Sequence, residues 1–245
     1  IGQYFQAQKY ASFEPVIDGQ LFTFAMFIGI VLSTFCGLFL GIEYGDGTIR
    51  NKVVVGHKRS SIYLANLITC IVAGLAMCAA FMLVYVAVGI PLIGTFTLEI
   101  KYILLYTGAA LLMSTAFASI FTMLAMLNQN KAVVAVSCIL FAFISLFAGQ
   151  YIQSRLEAPE MYEGYSYTDD SGELIEFEAT KNPRYLEGAQ REAYEFVHKL
   201  LPGDQQVQIG QMTTQEPGEL MIYSAGMTVV VTAIGMMLFK KKDLK

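Results

Sequence analysis

Long apolar runs without a single charge alternate along this chain with polar, charged stretches. Charge is absent from residues 19–42, 60–98, 102–130, 132–154 and 220–239. A charged side chain at mid-bilayer costs about 2.5 to 3.5 kcal/mol even on the lenient insertion scale. Each interval also reaches the roughly 20 residues that a helix needs to cross the hydrocarbon. The pattern therefore predicts spans at about 20–42, 61–90, 102–127, 132–151 and 220–239. The second interval is too long for one helix; Gly89, Pro91 and Gly94 are expected to break it into a span and a turn.

Charge then sorts the connections. Residues 43–59, the link 128–131 and the tail 240–245 carry nine Lys/Arg against three acids. Residues 1–18, 91–101 and 150–219 carry seven against seventeen. By the positive-inside rule, with Lys240, Lys241 and Lys242 directly after the last span as the strongest vote, the first set is cytoplasmic. The expected localisation is a plasma membrane, with residues 1–20 and 152–218 extracellular. An odd number of spans, in a chain that starts at Ile1 without methionine, fits a further span before Ile1, though the missing methionine alone does not favour it. A cleaved signal segment is the alternative.

Composition agrees: 55% of residues are hydrophobic and 15% charged, well below the charged fraction of soluble domains. The class expected is an all-α polytopic membrane protein forming a single transmembrane domain over residues 1–245. No basic face survives once the spans are set aside, so no nucleic-acid partner is implied. Cys36, Cys70, Cys78 and Cys138 all lie in apolar runs, which favours core packing over disulfides or metal. No phosphate-cradling Gly-Lys-Ser/Thr loop, His-Glu-x-x-His pair or Gly-x-Ser-x-Gly elbow is present, so neither catalytic nor metal residues are assigned. With no ionisable side chain inside the spans, a proton-driven carrier is disfavoured. Gly37, Gly41 and Gly45, each four apart, permit close helix approach. Phe24, Phe27, Phe35, Phe141 and Ser145 are candidates for lining an apolar path, although packing or lipid contact is the commoner role for such residues.

The 150–219 segment holds fourteen acids and five Lys/Arg. Its first part predicts loop with a strand pair near 165–167 and 174–177. Asn182 as cap and Pro183 at the first helical position then open an amphipathic helix, with Leu186, Ala189, Ala193, Phe196, Val197 and Leu200 in one stripe, ended by Pro202-Gly203. The stripe is expected to pack on the ends of neighbouring spans, the alternative being a lipid- or ligand-binding role at the membrane surface.

The polar stretch 43–63 has its own local grammar. A Gly45-Asp46-Gly47 turn leads into a short helix, 49–55, capped by Asp46 or Thr48 and ended by Gly56, and Ser60 or Ser61 can cap the next span. Ile49, Val53 and Val54 fall on an apolar side, while Arg50, Asn51 and Lys52 point away. A plain topogenic role for the cations is the competing reading.

The residue order Glu43-Tyr44, Gly47-Thr48-Ile49-Arg50-Asn51, Gly56, Arg59 and Ile62-Tyr63-Leu64 resembles the signature after the second transmembrane helix of bacterial type-two ABC exporter permeases, the family of lantibiotic-immunity and bacitracin-resistance permeases. The likeness extends to the later spans, the long segment before the last span and the Lys-rich tail. It departs at the start, where the family's first span is lacking, and in the acidity of the outer segment. It implies six spans, pairing with a second permease as homo- or heterodimer, and two copies of a separate ATP-binding subunit. That subunit, not this chain, would hold ATP and Mg. Glu43, Tyr44, Gly47, Thr48, Ile49, Arg50, Asn51, Lys52, Gly56 and Arg59 would form the coupling element, with the helix at 48–55 seated on the ATPase. The spans at 20–42 and 132–151 would line the pathway, and the amphipathic helix would belong to the extracellular gate. The expected cargo is a hydrophobic or amphipathic compound such as a peptide antibiotic, a drug or a lipid-like molecule. The other reading is a non-transporting sensor or immunity protein whose acidic outer segment binds a cationic peptide.

Overall fold

The structure, a computed structural model, describes residues 17–168 and 174–243. Five of its helices are long and apolar enough to cross a membrane: α2 (Ala25–Gly45), α4 (Arg59–Ile93), α5 (Ile100–Met126), α6 (Lys131–Leu156) and α9 (Pro217–Lys241). A single turn, α1 (Asp18–Leu21), precedes α2, so the first span starts later than the loss of charge suggests. Between α2 and α4 sits the seven-residue α3 (Thr48–Val54).

α5 is the central strut: 72% of its most apolar stretch is buried, against 22% for α4 and 17% for α9. Small residues let α2 approach α6 closely. A Cβ added at Gly37 would lie 3.0 Å from the Ala135 backbone, and one at Gly41 would lie 3.2 Å from Lys131. Asn130 caps α6, its side chain accepting from the Ala132 and Val133 amides at 2.9 and 3.3 Å. All four cysteines are free and buried.

Two span expectations need correction. α4 runs without interruption to Ile93, through Gly89 and Pro91, and ends where Gly94 takes φ +122°. Pro91 lies in the last turn, so little helix follows for its missing amide and ring to disrupt. Neither Ser60 nor Ser61 caps α4; it begins at Arg59 after Lys58 in extended backbone, with no side-chain cap.

Between α6 and α9 the chain is not purely helical. An antiparallel ribbon pairs β1 (Met161–Tyr162) with β4 (Thr180–Lys181), and β2 (Tyr165–Thr168) with β3 (Leu174–Phe177), with Tyr165 opposite Phe177. The expected helix is there as α7 (Gly188–Leu200), but it starts six residues after Asn182. Asn182 instead closes a turn, accepting from the Arg184 amide at 2.9 Å and donating to the Pro159 carbonyl at 2.8 Å. Pro202-Gly203 does end that helix, and Pro202 opens another, α8 (Pro202–Gln211). Proline suits a first helical position as well as it stops the preceding helix.

Candidate functional site

The two ends of the bundle each carry a cluster of polar side chains. At the cation-rich end, α3 is held between two glycines in left-handed backbone, Gly47 at φ +70° and Gly56 at φ +100°. Neither Asp46 nor Thr48 caps it through a side chain. Ile49 is buried and Val53 packs against the core, which fixes the helix across the bundle end. Val54 does not join that side: it and Val55 are each 79% exposed. Arg50 and Asn51 are exposed, and Lys52 pairs with half-buried Glu43 at 2.6 Å.

Two expected members of this element are engaged inside the protein. Tyr44 donates its hydroxyl to the Met126 carbonyl at 2.6 Å. The Arg59 guanidinium donates to the carbonyls of Phe239, Lys240 and Lys242, the open C-terminal end of α9. Lys242 folds back over the Tyr44 ring, 5.0 Å from its centroid, and donates to Met126 at 3.1 Å; burial pushes its ammonium down to about 8. The tail, the last turn of α2, the start of α4 and the end of α5 are thus tied into one block.

At the acidic end, α7 and α8 form a hairpin with its bend, at Leu201, tucked between spans. α8 lies alongside α6 and runs in the same direction. The Gly203 amide donates to the Ser145 hydroxyl at 3.0 Å, and Gln153 donates to Gln211 at 3.2 Å. Ser145 stands eleven residues before the end of α6, about 16 Å into the bundle at 1.5 Å per residue. Gly149 makes the approach possible, since a Cβ there would come within 2.5 Å of the Asp204 backbone.

All residues of α8 from Pro202 to Gly210 are buried, although four are Asp204, Gln205, Gln206 and Gln208. Such groups stay buried only if partnered. Gln205 and Gln208 donate to the Lys199 and His198 carbonyls, both at 2.7 Å, closing the open end of α7. Gln205 accepts from the Ser224 hydroxyl of α9 at 2.6 Å, and Gln206 donates to the Met26 carbonyl of α2 at 3.3 Å. Asp204, fully buried, takes His198 Nδ1 at 2.9 Å on one oxygen; the other has no partner. Burial raises the Asp204 carboxyl above the usual range, and the His198 ring opposes the shift.

The expected packing of α7 is met only in part: Phe196 lies edge-on to Tyr223 of α9, with ring centroids 6.4 Å apart. None of its residues is buried; Phe196 and Val197 are 55% and 39% exposed, Ala189 and Ala193 are exposed, and Leu200 is half-buried. Leu186 is buried but precedes the helix. The half-buried side instead carries Arg191, Tyr194 and His198. Tyr194 and His198 meet Arg155 of α6 and Asp204 of α8, so the side turned to those helices is polar and most of the stripe stays exposed.

The five lining candidates do not converge. Phe24 packs on Phe81 of α4 at 4.9 Å, Phe35 stacks on Phe39 of its own helix, and Phe141 meets Phe121 of α5 edge-on at 6.2 Å. Phe27 is 56% exposed, and Ser145 holds α8. The sequence reading missed α8 altogether, although proline at its first position and Asp204 in its first turn are helix-start signals. It also missed Asp18, buried and accepting from the Thr97 and Leu98 amides at 2.7 and 3.1 Å ahead of α5. Among the described residues no group of three or more metal-ligating side chains forms. Comparison with protein families, curated proteins and solved structures finds no match.

Proposed function

We propose that this chain is the membrane-spanning subunit of an ATP-driven exporter, moved by separate ATP-binding subunits through α3. The observation that carries this reading is α3 itself. It is a short helix fixed by Ile49, yet it turns Val54, Val55, Arg50 and Asn51 away from the bundle. Apolar side chains so exposed beside free polar ones, in a stretch without the hydrophobicity to enter lipid, mark a surface for another protein. The resemblance of residues 43–64 to type-two exporter permeases names that partner as an ATP-binding subunit, with the second permease copy completing the pathway. The positive-inside rule places α3 in the cytoplasm and the α7–α8 hairpin outside.

In this reading a push on α3 reaches α9 through the Arg59 clamp and Lys242, and α9 carries it to Ser224, which holds Gln205 of the hairpin. α3 and the hairpin would then be the driven and the gating ends of one rigid path. The test is retention of an ATP-binding subunit through purification. Arg50→Glu or Gly47→Pro should release it while the five-helix bundle stays folded; retention and transport undisturbed by both changes would remove the assignment.

One observation supports the second reading, a non-transporting receptor for a cationic peptide. β2 and β3 present Tyr165, Tyr167 and Phe177 on one face, stacked at 4.8 and 6.3 Å and about half exposed, in an acidic segment. Deleting 162–177 should abolish peptide protection while leaving any ATPase contact unchanged if this reading holds.

A further inference from the structure

Residues 150–219 are acidic, and three of their five cations have a carboxylate each. Lys181 meets Glu187 at 2.6 Å, Arg191 meets Glu195 at 2.9 Å and Lys199 meets Glu219 at 2.5 Å. Among the described residues the other two, Arg155 and Arg184, pair with none. Both line the same cavity, about 560 Å³, formed by the last turn of α6, the Ala158–Pro159 link and the turn at Asn182.

Where acids outnumber cations nearly three to one, two unpaired arginines lining one cavity are unexpected on electrostatic grounds. Glu157 lies in the same wall, but its carboxylate accepts from Gln153 at 2.8 Å rather than from either arginine. Arg155 is positioned by rings instead of by a counter-charge. Its guanidinium carbon lies 6.0 Å from the Tyr151 centroid and 5.9 Å from that of Tyr194, and it donates to the Tyr151 hydroxyl at 3.3 Å. Its Nε is buried without a partner. Ring stacking fixes the plane of a guanidinium while leaving most of its donors available. Arg184 is fixed through its backbone, since Asn182 accepts its amide and is itself anchored on Pro159.

We propose that this cavity binds a phosphate ester, held by Arg155 and Arg184. A planar fork of donors suits phosphate oxygens, and the charge would neutralise both arginines at once. The cavity is much larger than a bare phosphate, which leaves room for the esterified group. Arg155 also sits one residue from the end of α6, at the level where the phosphates of a bilayer lie. A lipid headgroup and a free phosphate ester would present the same chemistry here, and the site does not depend on the exporter reading.

The test is equilibrium binding to the full chain in an uncharged detergent, with three probes: dihexanoyl phosphatidylglycerol, glycerol phosphate and inorganic phosphate. Arg184→Gln, at an exposed position, should weaken the esters about tenfold, and Arg155→Gln with Arg184→Gln should abolish saturable binding. Lys181→Gln and Arg191→Gln, which remove paired cations, should leave binding unchanged. Glycerol phosphate binding as tightly as the lipid would identify a soluble ester; binding of the lipid alone would identify a headgroup. Either result supports the site. No saturable binding of any ester by the wild type, equal binding by the Arg184→Gln protein, or equal weakening by the Lys181→Gln and Arg191→Gln controls would overturn it. Because the Arg184→Gln arm does not touch the packed Arg155, a misfolded double variant cannot mask the result.

Discussion

Two short helices, α3 and α8, break the ordinary rule of burial in opposite directions. α3 is partly apolar and buries one side chain, Ile49, while holding two valines in the open. α8 is polar and buries nine of its ten residues. Exposed apolar residues point to a missing partner, and buried polar ones to partners already in place. α3 is therefore an unfinished surface. α8 is largely a finished one, in which Gln205, Gln206 and Gln208 donate to carbonyls of α7 and α2, while one oxygen each of Asp204 and Gln206 is left without a partner. Changes in α8 should accordingly register as stability, and changes in α3 as association.

The largest effect is expected from Gly149→Leu. A side chain there has no room against the Asp204 backbone, so α8 must leave α6 and uncover its four polar side chains. Overpacking of this kind should cost about 3 kcal/mol or more, read as a lower thermal midpoint in detergent. The matching change beside α3, Gly56→Ala, meets no neighbouring atom and strains only the backbone, at about 1 kcal/mol. Equal losses from the two would erase the distinction.

The His198–Asp204 pair sharpens it further. His198→Leu takes the ring donor from a buried carboxylate and should cost about 3 kcal/mol. Asp204→Asn keeps an acceptor and removes the charge. Since burial raises the Asp204 carboxyl in the folded protein, its contribution favours folding below the ordinary carboxyl range and is lost as pH rises through the raised value. The asparagine variant should match the wild type near pH 4 and gain on it towards pH 7.5. Thermal midpoints at the two values decide this, and a gap that widens in acid instead would show that the carboxylate is stabilised by its surroundings.

How much of this was readable from residues alone differs between the same two helices. The five spans follow from uncharged intervals, because the bilayer penalises charge and the penalty is visible in any window. α3 was readable from Gly47 and Gly56, whose positive φ brackets it. α8 was not, since Gln-Gln-Val-Gln-Ile-Gly-Gln has no apolar stripe and its burial depends on carbonyls of α7 and α2 that no local pattern reveals. The stripe on α7 was read correctly as a stripe but packs less than expected: Phe196 touches Tyr223 of α9 and is still 55% exposed, because α6 and α8 take the polar side of the helix. Pro91 misled for a related reason, as its cost depends on how much helix follows it.

Arg59 links the two regions, and its removal is expected to be intermediate. Arg59→Ala strips a donor from three carbonyls at the end of α9 and should cost about 1 to 2 kcal/mol. It should also free the tail, so that trypsin cuts faster after Lys240 and Lys241.

The smallest effect on stability belongs to α3's outer face. Val54→Asp and Arg50→Glu alter exposed side chains and should shift folding by no more than about 0.5 kcal/mol. Buried Ile49 and paired Lys52 would be untouched. If α3 is the receiving surface proposed above, both variants should nonetheless lose an ATP-binding subunit at least about tenfold more readily than the wild type, since a buried charge opposite a hydrophobic anchor is costly in any interface. Thermal midpoints and co-purification measured on the same preparations separate the two quantities. A variant that lowers the midpoint as much as His198→Leu would mean that α3 is packed like α8 and is not a surface kept open for a partner.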